Sequence, residues 1–331
     1  MVTLKTYFTI LNYFVVNAMI KPIKELNCMI DILIKAGGFI LIIMLGFALK
    51  TKGVCTREHG SFLSTIIMNI TLPCSLLSSI NNLEITPILL VALACGFLGN
   101  VITNLSGYLI QKKESPMTRA LSMINSSGYN IGTFTLPFVQ SFFPSNLIGY
   151  VCLFDTGNAL MCLGGTYSAA STVVANEEKQ SFKTVAKKLF SSIPFDVYMV
   201  IFFLALFKIK IPAPILSITD FIGAGNGFLA MLMIGLLLEI KISHDDFKDL
   251  ISILSYRLLG NMLLMALCFF LLPLPLLAKK ILIIALAAPI STVSAVFTRQ
   301  CKYEGEVAAV ANSLSILIGI GVLVVLLMLF V

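Results

Sequence analysis

Of the 331 residues, 58% are hydrophobic and 12% charged, against roughly 45–50% and 25% in soluble domains, which excludes a soluble globular protein and makes this an integral membrane protein. The net charge of +7 comes without a Gly-rich phosphate loop, a basic tail or interleaved aromatic and basic residues, so it orients the chain in a bilayer and is no nucleic-acid footprint. The eight cysteines lie mainly in apolar runs without a C-x-x-C, and both histidines, His59 and His244, lie in charged loops, so a metal centre, a disulfide framework or a catalytic triad has almost no raw material.

Residues 1–29 form an N-terminal extension whose single apolar run, 7–20, is bounded by Lys5 and Lys21. It is shorter than the ~17–25 residues of a span and reads as an interfacial helix, with an extra span as the alternative. It lacks a clear signal-peptide cleavage pattern.

Ten apolar spans follow, at 30–49, 62–80, 87–110, 120–143 and 147–169, then at 194–207, 215–238, 251–272, 281–297 and 307–330. The sixth and ninth are short. A polar link from Asn176 to Lys188 separates the two sets, so the chain divides into a repeat at 30–172, a cytoplasmic link at 173–190 and a second repeat at 191–331. Five is odd, so the second repeat enters from the opposite side of the membrane and the two are inverted. Alternate connections carry fifteen Lys and Arg, among them Lys50, Lys112, Lys187 and Arg257, while the opposite connections carry four. The positive-inside rule therefore places the major loops in the cytoplasm and the C-terminus outside. Arg257 and Arg299 fall near cytoplasmic span ends, where they snorkel.

The fourth span is the odd one. Asn125, Ser126, Ser127, Gly128, Asn130, Gly132, Thr133 and Thr135 precede Pro137 where a lipid-facing helix would carry Leu and Val. Proline lacks an N–H and opposes the carbonyl four residues back, so a helix through Pro137 kinks or breaks. In the ninth span, Pro289, Ser291, Thr292 and Ser294 interrupt the apolar run in the same way. Freed backbone groups survive in a bilayer only where protein or a water-filled cavity meets them, and paired interruptions in corresponding positions of two halves point to a substrate site near mid-membrane. Half-helix N-termini there would present N–H groups to a carboxylate without any basic residue deep in the helices.

Candidate substrate-binding residues are therefore Asn130, Ser126, Ser127, Gly132, Pro137, Pro289, Ser291, Thr292 and Ser294. The two prolines shape the site more than they touch a ligand, and each hydroxyl has a bland alternative in bonding the carbonyl one turn back. Asp155 is the sharpest single residue, because a carboxylate at mid-helix costs about 2.5–3.5 kcal/mol on insertion scales and must face a cavity or a partner. Asn158 shares its helical face. Asp155 is either a proton- or cation-coupling group or a paired structural carboxyl. Asn312 in the last span is the pseudo-symmetric counterpart of Asn158, with interhelical packing as its simpler reading. Asn69, Asn100, Asn104, Asn226 and Asn261 read as interhelical hydrogen-bonding groups.

The segment Asn130-Ile-Gly132-Thr-Phe-Thr-Leu-Pro137 resembles the N-x-G-x-x-x-L-P of the auxin efflux carrier family. In order along the chain, Thr71-Leu72-Pro73, Asp155-Thr-Gly157-Asn158-Ala-Leu, the small residues from Gly223 to Gly235, and Pro289 to Phe297 resemble further segments of that family. The chain departs from it at Thr135, at Asn226 or Gly227, and near Ser294, which bears on the substrate. The resemblance covers nearly everything after residue 35. It implies an all-α carrier of ten transmembrane helices in two inverted five-helix repeats, with broken fourth and ninth helices crossing, that moves a small organic anion across the plasma membrane. Asp155 stands almost alone and both histidines lie in loops, so no enzymatic activity is expected; no cofactor is expected beyond a coupling proton or sodium ion, and a homodimer is left as an open arrangement. A sodium-coupled organic anion symporter of the bile-acid type shares the architecture and is the runner-up.

Overall fold

The computed structural model describes residues 29–79, 86–174, 182–241, 246–303 and 305–330. The run at 7–20 and residues 175–181 of the link at 173–190 lie outside them. Among the described residues the protein is all-helical, with no strand beyond one isolated two-residue bridge.

Seven helices are long and apolar enough to cross a membrane: α1 (Met29–Thr51), α2 (Arg57–Ser79), α3 (Pro87–Ile110), α6 (Ser145–Val173), α9 (Ala213–Leu237), α10 (Phe247–Leu271) and α13 (Val307–Phe330). Between α3 and α6 lie α4 (Pro116–Ser126) and α5 (Leu136–Phe142). Short helices α7 (Phe182–Leu189) and α8 (Ile193–Leu206) follow α6. Between α10 and α13 lie α11 (Leu276–Leu286) and α12 (Val293–Gln300). The sixth expected span is α8, with 14 residues, about 21 Å of helix at 1.5 Å per residue.

Local sequence explains the helix starts. Ser115 caps α4 by accepting from the Thr118 amide at 3.1 Å, and prolines occupy the first turns of α3, α4, α8 and α9, where a missing N–H costs nothing. The break in the fourth span does not fall at Pro137. The chain leaves helix at residues 127–130 and re-enters it through a wide π turn, Ile131–Thr135, which delivers Pro137 into the first turn of α5. The tripeptide Thr71-Leu72-Pro73 repeats the device in α2, after the π turn Ile67–Thr71. Widening the helix just before the ring moves the opposing carbonyl aside, so a Thr-Leu-Pro sequence bends the span without opening it. Gly128, at φ +79°, is what opens it, because that backbone region is readily open only to glycine.

Helices α3 and α6 meet backbone to backbone. A Cβ on Gly96 would collide with the Phe154 carbonyl, and one on Gly157 with the Leu93 carbonyl. This small-residue contact fixes the turn of α6 that carries Asp155 and Asn158.

Candidate functional site

The two interruptions meet. Tyr129 and Ile290 form an antiparallel bridge, with the Asn130 amide donating to the Pro289 carbonyl at 2.9 Å and the Ser291 amide donating to the Gly128 carbonyl at 3.2 Å. Backbone outside a helix and inside an apolar bundle must have every polar group met by protein, and the partners can be named. The side chain of Asn158 takes both outward groups of Tyr129, accepting from its N–H at 3.0 Å and donating to its carbonyl at 2.9 Å. On the opposite edge, Asn312 donates to the Ile290 carbonyl at 2.6 Å, and Ser315 accepts from the Ile290 N–H at 3.0 Å. Asn100 accepts from the Gly128 N–H at 2.6 Å. Asn158 and Asn312 thus do the same work on opposite edges of one ribbon.

The ends of the ribbon belong to Arg257. Its guanidinium donates to the carbonyls of Ser126, Ser127, Gly128, Ala288 and Pro289 at 2.8–3.2 Å, and it lies 5.1 Å from the centre of the Tyr129 ring. The snorkelling expected of Arg257 is therefore corrected. The residue is 4% exposed, and α10 carries it about 15 Å past the helix start to the point where carbonyls at the ends of α4 and α11 would otherwise be orphaned. The two interrupted spans have no basic residue of their own at the break, and the cation reaches them from α10. Sequence reasoning missed Arg257 because it lies near the start of the apolar run 251–272, close enough to the charged segment before it to be counted with that loop. The signal that could have found it is the need of two helix C-termini for donors.

On one side of the ribbon lies a cavity of about 100 Å³, lined among others by Tyr129, Asn130, Gly132, Thr133, Asp155, Asn158, Tyr198, Ser291 and Thr292. Six expected residues thus meet around one space: Asn130, Gly132, Asp155, Asn158, Ser291 and Thr292. Asn130 accepts from the Thr133 hydroxyl at 2.6 Å, but its Nδ2 is buried and has no partner among the described residues. Asp155 accepts from the Tyr198 hydroxyl at 2.7 Å and from Asn158 Nδ2 at 2.8 Å. Both carboxylate oxygens act as acceptors, the pattern of the ionised form.

The remaining expected residues lie elsewhere. Ser126 and Ser127 give their carbonyls to Arg257, and the Ser127 hydroxyl bonds the Met123 carbonyl at 3.0 Å. Ser294 is buried, with its hydroxyl 3.5 Å from the Ile124 carbonyl. Pro137 packs near Gly227 of α9. Pro289 borders a cavity of about 50 Å³ beside Arg257. Asn312 lines a third space of about 80 Å³ together with Arg57, Thr292 and Ser313.

A profile of the family described as membrane transport protein, the auxin efflux carrier family, matches residues 37–329. The chain belongs to that family. A search of curated proteins found no match. In this membrane transport protein, the matched region takes in every helix from α2 to α12, nearly all of α13 and the whole of the ribbon. The resemblance carried by Asn130 to Pro137, Asp155 to Leu160 and Pro289 to Phe297 thus has its counterpart in a match over most of the chain.

Proposed function

We propose that the chain is a secondary transporter that moves a small organic anion, most simply a carboxylate, together with a proton. The observation that carries the reading is the unpaired Asn130 Nδ2 beside the cavity that also holds Asp155. A buried donor without an acceptor costs free energy, and a carboxylate oxygen is the acceptor that would relieve it. An ionised Asp155 in the same small cavity repels an anion, so the carboxylate enters when Asp155 is protonated. A protonated Asp155 gains an O–H donor and loses acceptor strength on one oxygen, which weakens its contact with the Tyr198 hydroxyl or with the Asn158 amide. Asn158 also holds the Tyr129 backbone, so the proton on Asp155 acts directly on the ribbon and supplies the differential contact that a transport switch needs.

The architecture is read as ten helices in two inverted repeats: the seven long helices, the α4–α5 pair, α8, and the α11–α12 pair. The matching roles of Asn158 and Asn312 on the two edges of the ribbon support the inversion. The Lys and Arg bias supports cytoplasmic major loops and an external C-terminus, and the plasma membrane is the location this reading takes. The reading is of a carrier and leaves no step for catalysis.

Flux into proteoliposomes tests it, with labelled mono- and dicarboxylates and indole acids offered under an imposed pH gradient and with choline replacing sodium. Uptake of at least one carboxylate should follow the pH gradient and persist in choline. Asp155→Asn should remove the dependence on the gradient. Uptake that collapses in choline would transfer the coupling to sodium, and absence of flux for every acid would end the proposal.

A further inference from the structure

Arg257 carries a full positive charge into the bundle, and none of the ion pairs formed among the described residues involves it. Among the described residues its charge is met by carbonyl dipoles and the face of Tyr129. Oriented dipoles solvate a cation but do not cancel its charge, so a positive potential extends beyond them in a medium of low dielectric. A series of contacts links Arg257 to Asp155. Arg257 bonds the Gly128 carbonyl at 2.8 Å and faces the Tyr129 ring, Tyr129 is held at both backbone groups by Asn158, and Asn158 donates to Asp155 at 2.8 Å.

We propose that Arg257 is the fixed positive charge that makes the crossing accept an anion only together with a proton on Asp155. This rests on the transport reading above and goes beyond it by naming what sets the charge of the cargo. With Asp155 ionised, the two buried charges sum to zero and the cavity has no electrostatic reason to hold an anion. With Asp155 protonated, they sum to +1, and a monovalent anion restores neutrality. The loaded and empty crossings are then both neutral, and neutral states are the ones that can move through a low-dielectric barrier at tolerable cost. A divalent anion would leave a net charge, so the cargo is a monoanion or a diacid carried with one carboxyl protonated. Arg257 does not line the cavity, so it acts by its field and by positioning the ribbon, without contact with the cargo. The other titratable groups around this pair are Tyr129, Tyr198, Cys152 and Cys162, all neutral in their ordinary range. They leave Arg257 and Asp155 as the two charges that decide the balance.

The test needs no substrate. The carbonyl stretch of protonated Asp155, assigned by its loss in Asp155→Asn, is titrated by infrared difference spectroscopy in purified protein in lipid nanodiscs. Removing the buried positive charge makes the ionised carboxylate less favourable, so Arg257→Gln should raise the midpoint by an amount the titration resolves. Arg257→Lys, which keeps the charge and loses the forked clamp, should leave the midpoint within a few tenths of wild type. Arg257→Met serves as the neutral variant if the glutamine form does not fold, and the lysine result must hold on its own terms in either case. An unchanged midpoint in the neutral variants, or an equal shift in the lysine variant, would overturn the inference. Failure of every acid to be transported would sink the transport reading without moving this midpoint, so the two can fail separately.

Discussion

Asn158→Ala should destabilise the protein by about 3–5 kcal/mol and abolish transport. The magnitude follows from what one side chain holds. Its Oδ1 accepts from the Tyr129 N–H, from Asn100 Nδ2 at 3.0 Å and from the Cys162 thiol at 3.2 Å, while its Nδ2 donates to the Tyr129 carbonyl and to Asp155. Some of these groups keep a second partner. Asn100 Nδ2 still reaches the Gly96 carbonyl at 2.6 Å, and the Tyr129 carbonyl still accepts from Ile131 at 3.0 Å. The Tyr129 N–H and one oxygen of Asp155 do not, and a buried amide and a buried carboxylate left unpaired together account for the range given. Asn158→Asp separates the two roles. It keeps an acceptor for the Tyr129 N–H but places a second carboxyl beside Asp155, so it should fold better than the alanine variant and still fail to transport. Thermal unfolding in detergent and flux in liposomes, read side by side, check both statements.

Valine at Gly157 or Gly96 should cost at least about 3 kcal/mol and yield little monodisperse protein. Each position faces backbone of the partner helix, so the added atoms cannot be accommodated by a side-chain rotation and α3 must part from α6. Separation also pulls Asn100 from Asn158, and the ribbon loses support on one edge. Gly37→Val is the matched control, because nothing lies within 4 Å of a Cβ there, and it should behave like wild type. Elution profiles and unfolding temperatures of the three variants decide the matter. Equal behaviour of Gly157→Val and Gly37→Val would contradict the backbone-to-backbone packing of α3 on α6.

The amino-acid sequence alone makes much of this legible. Seven long helices follow from runs of about 20 apolar residues, which a bilayer permits in no other open form. That residues 127–130 and 287–292 interrupt their spans is legible in the cluster of Asn, Ser, Gly and Pro, residues with no use against lipid. The position of the first break is less so. A proline looks like the breaker in isolation, but the π turn Ile131–Thr135 absorbs Pro137, and Gly128 takes the left-handed conformation instead. Asp155 and Asn158 can be paired by spacing alone, and they do bond each other. Arg257 is hidden, because the donors that two helix C-termini require can come from any helix that packs there, and only tertiary contact says which. The same holds for Ser126 and Ser127, whose polarity points to involvement in the break but whose carbonyls, and not their hydroxyls, turn toward it.

The transport reading stands on a carboxylate seated in the cavity with Asn130 as its donor, and equilibrium binding reaches that point with the fewest intervening steps. The acid that best stabilises wild type in a thermal-shift series should be titrated against wild type and Asn130→Ala. Because Asn130 Nδ2 has no partner among the described residues and the side chain gives up only the contact from the Thr133 hydroxyl, the variant should unfold within a few degrees of wild type when empty, yet bind the acid at least about tenfold more weakly, the worth of one charge-assisted hydrogen bond. Equal affinity in a folded Asn130→Ala protein would show that Asn130 is no donor to the cargo.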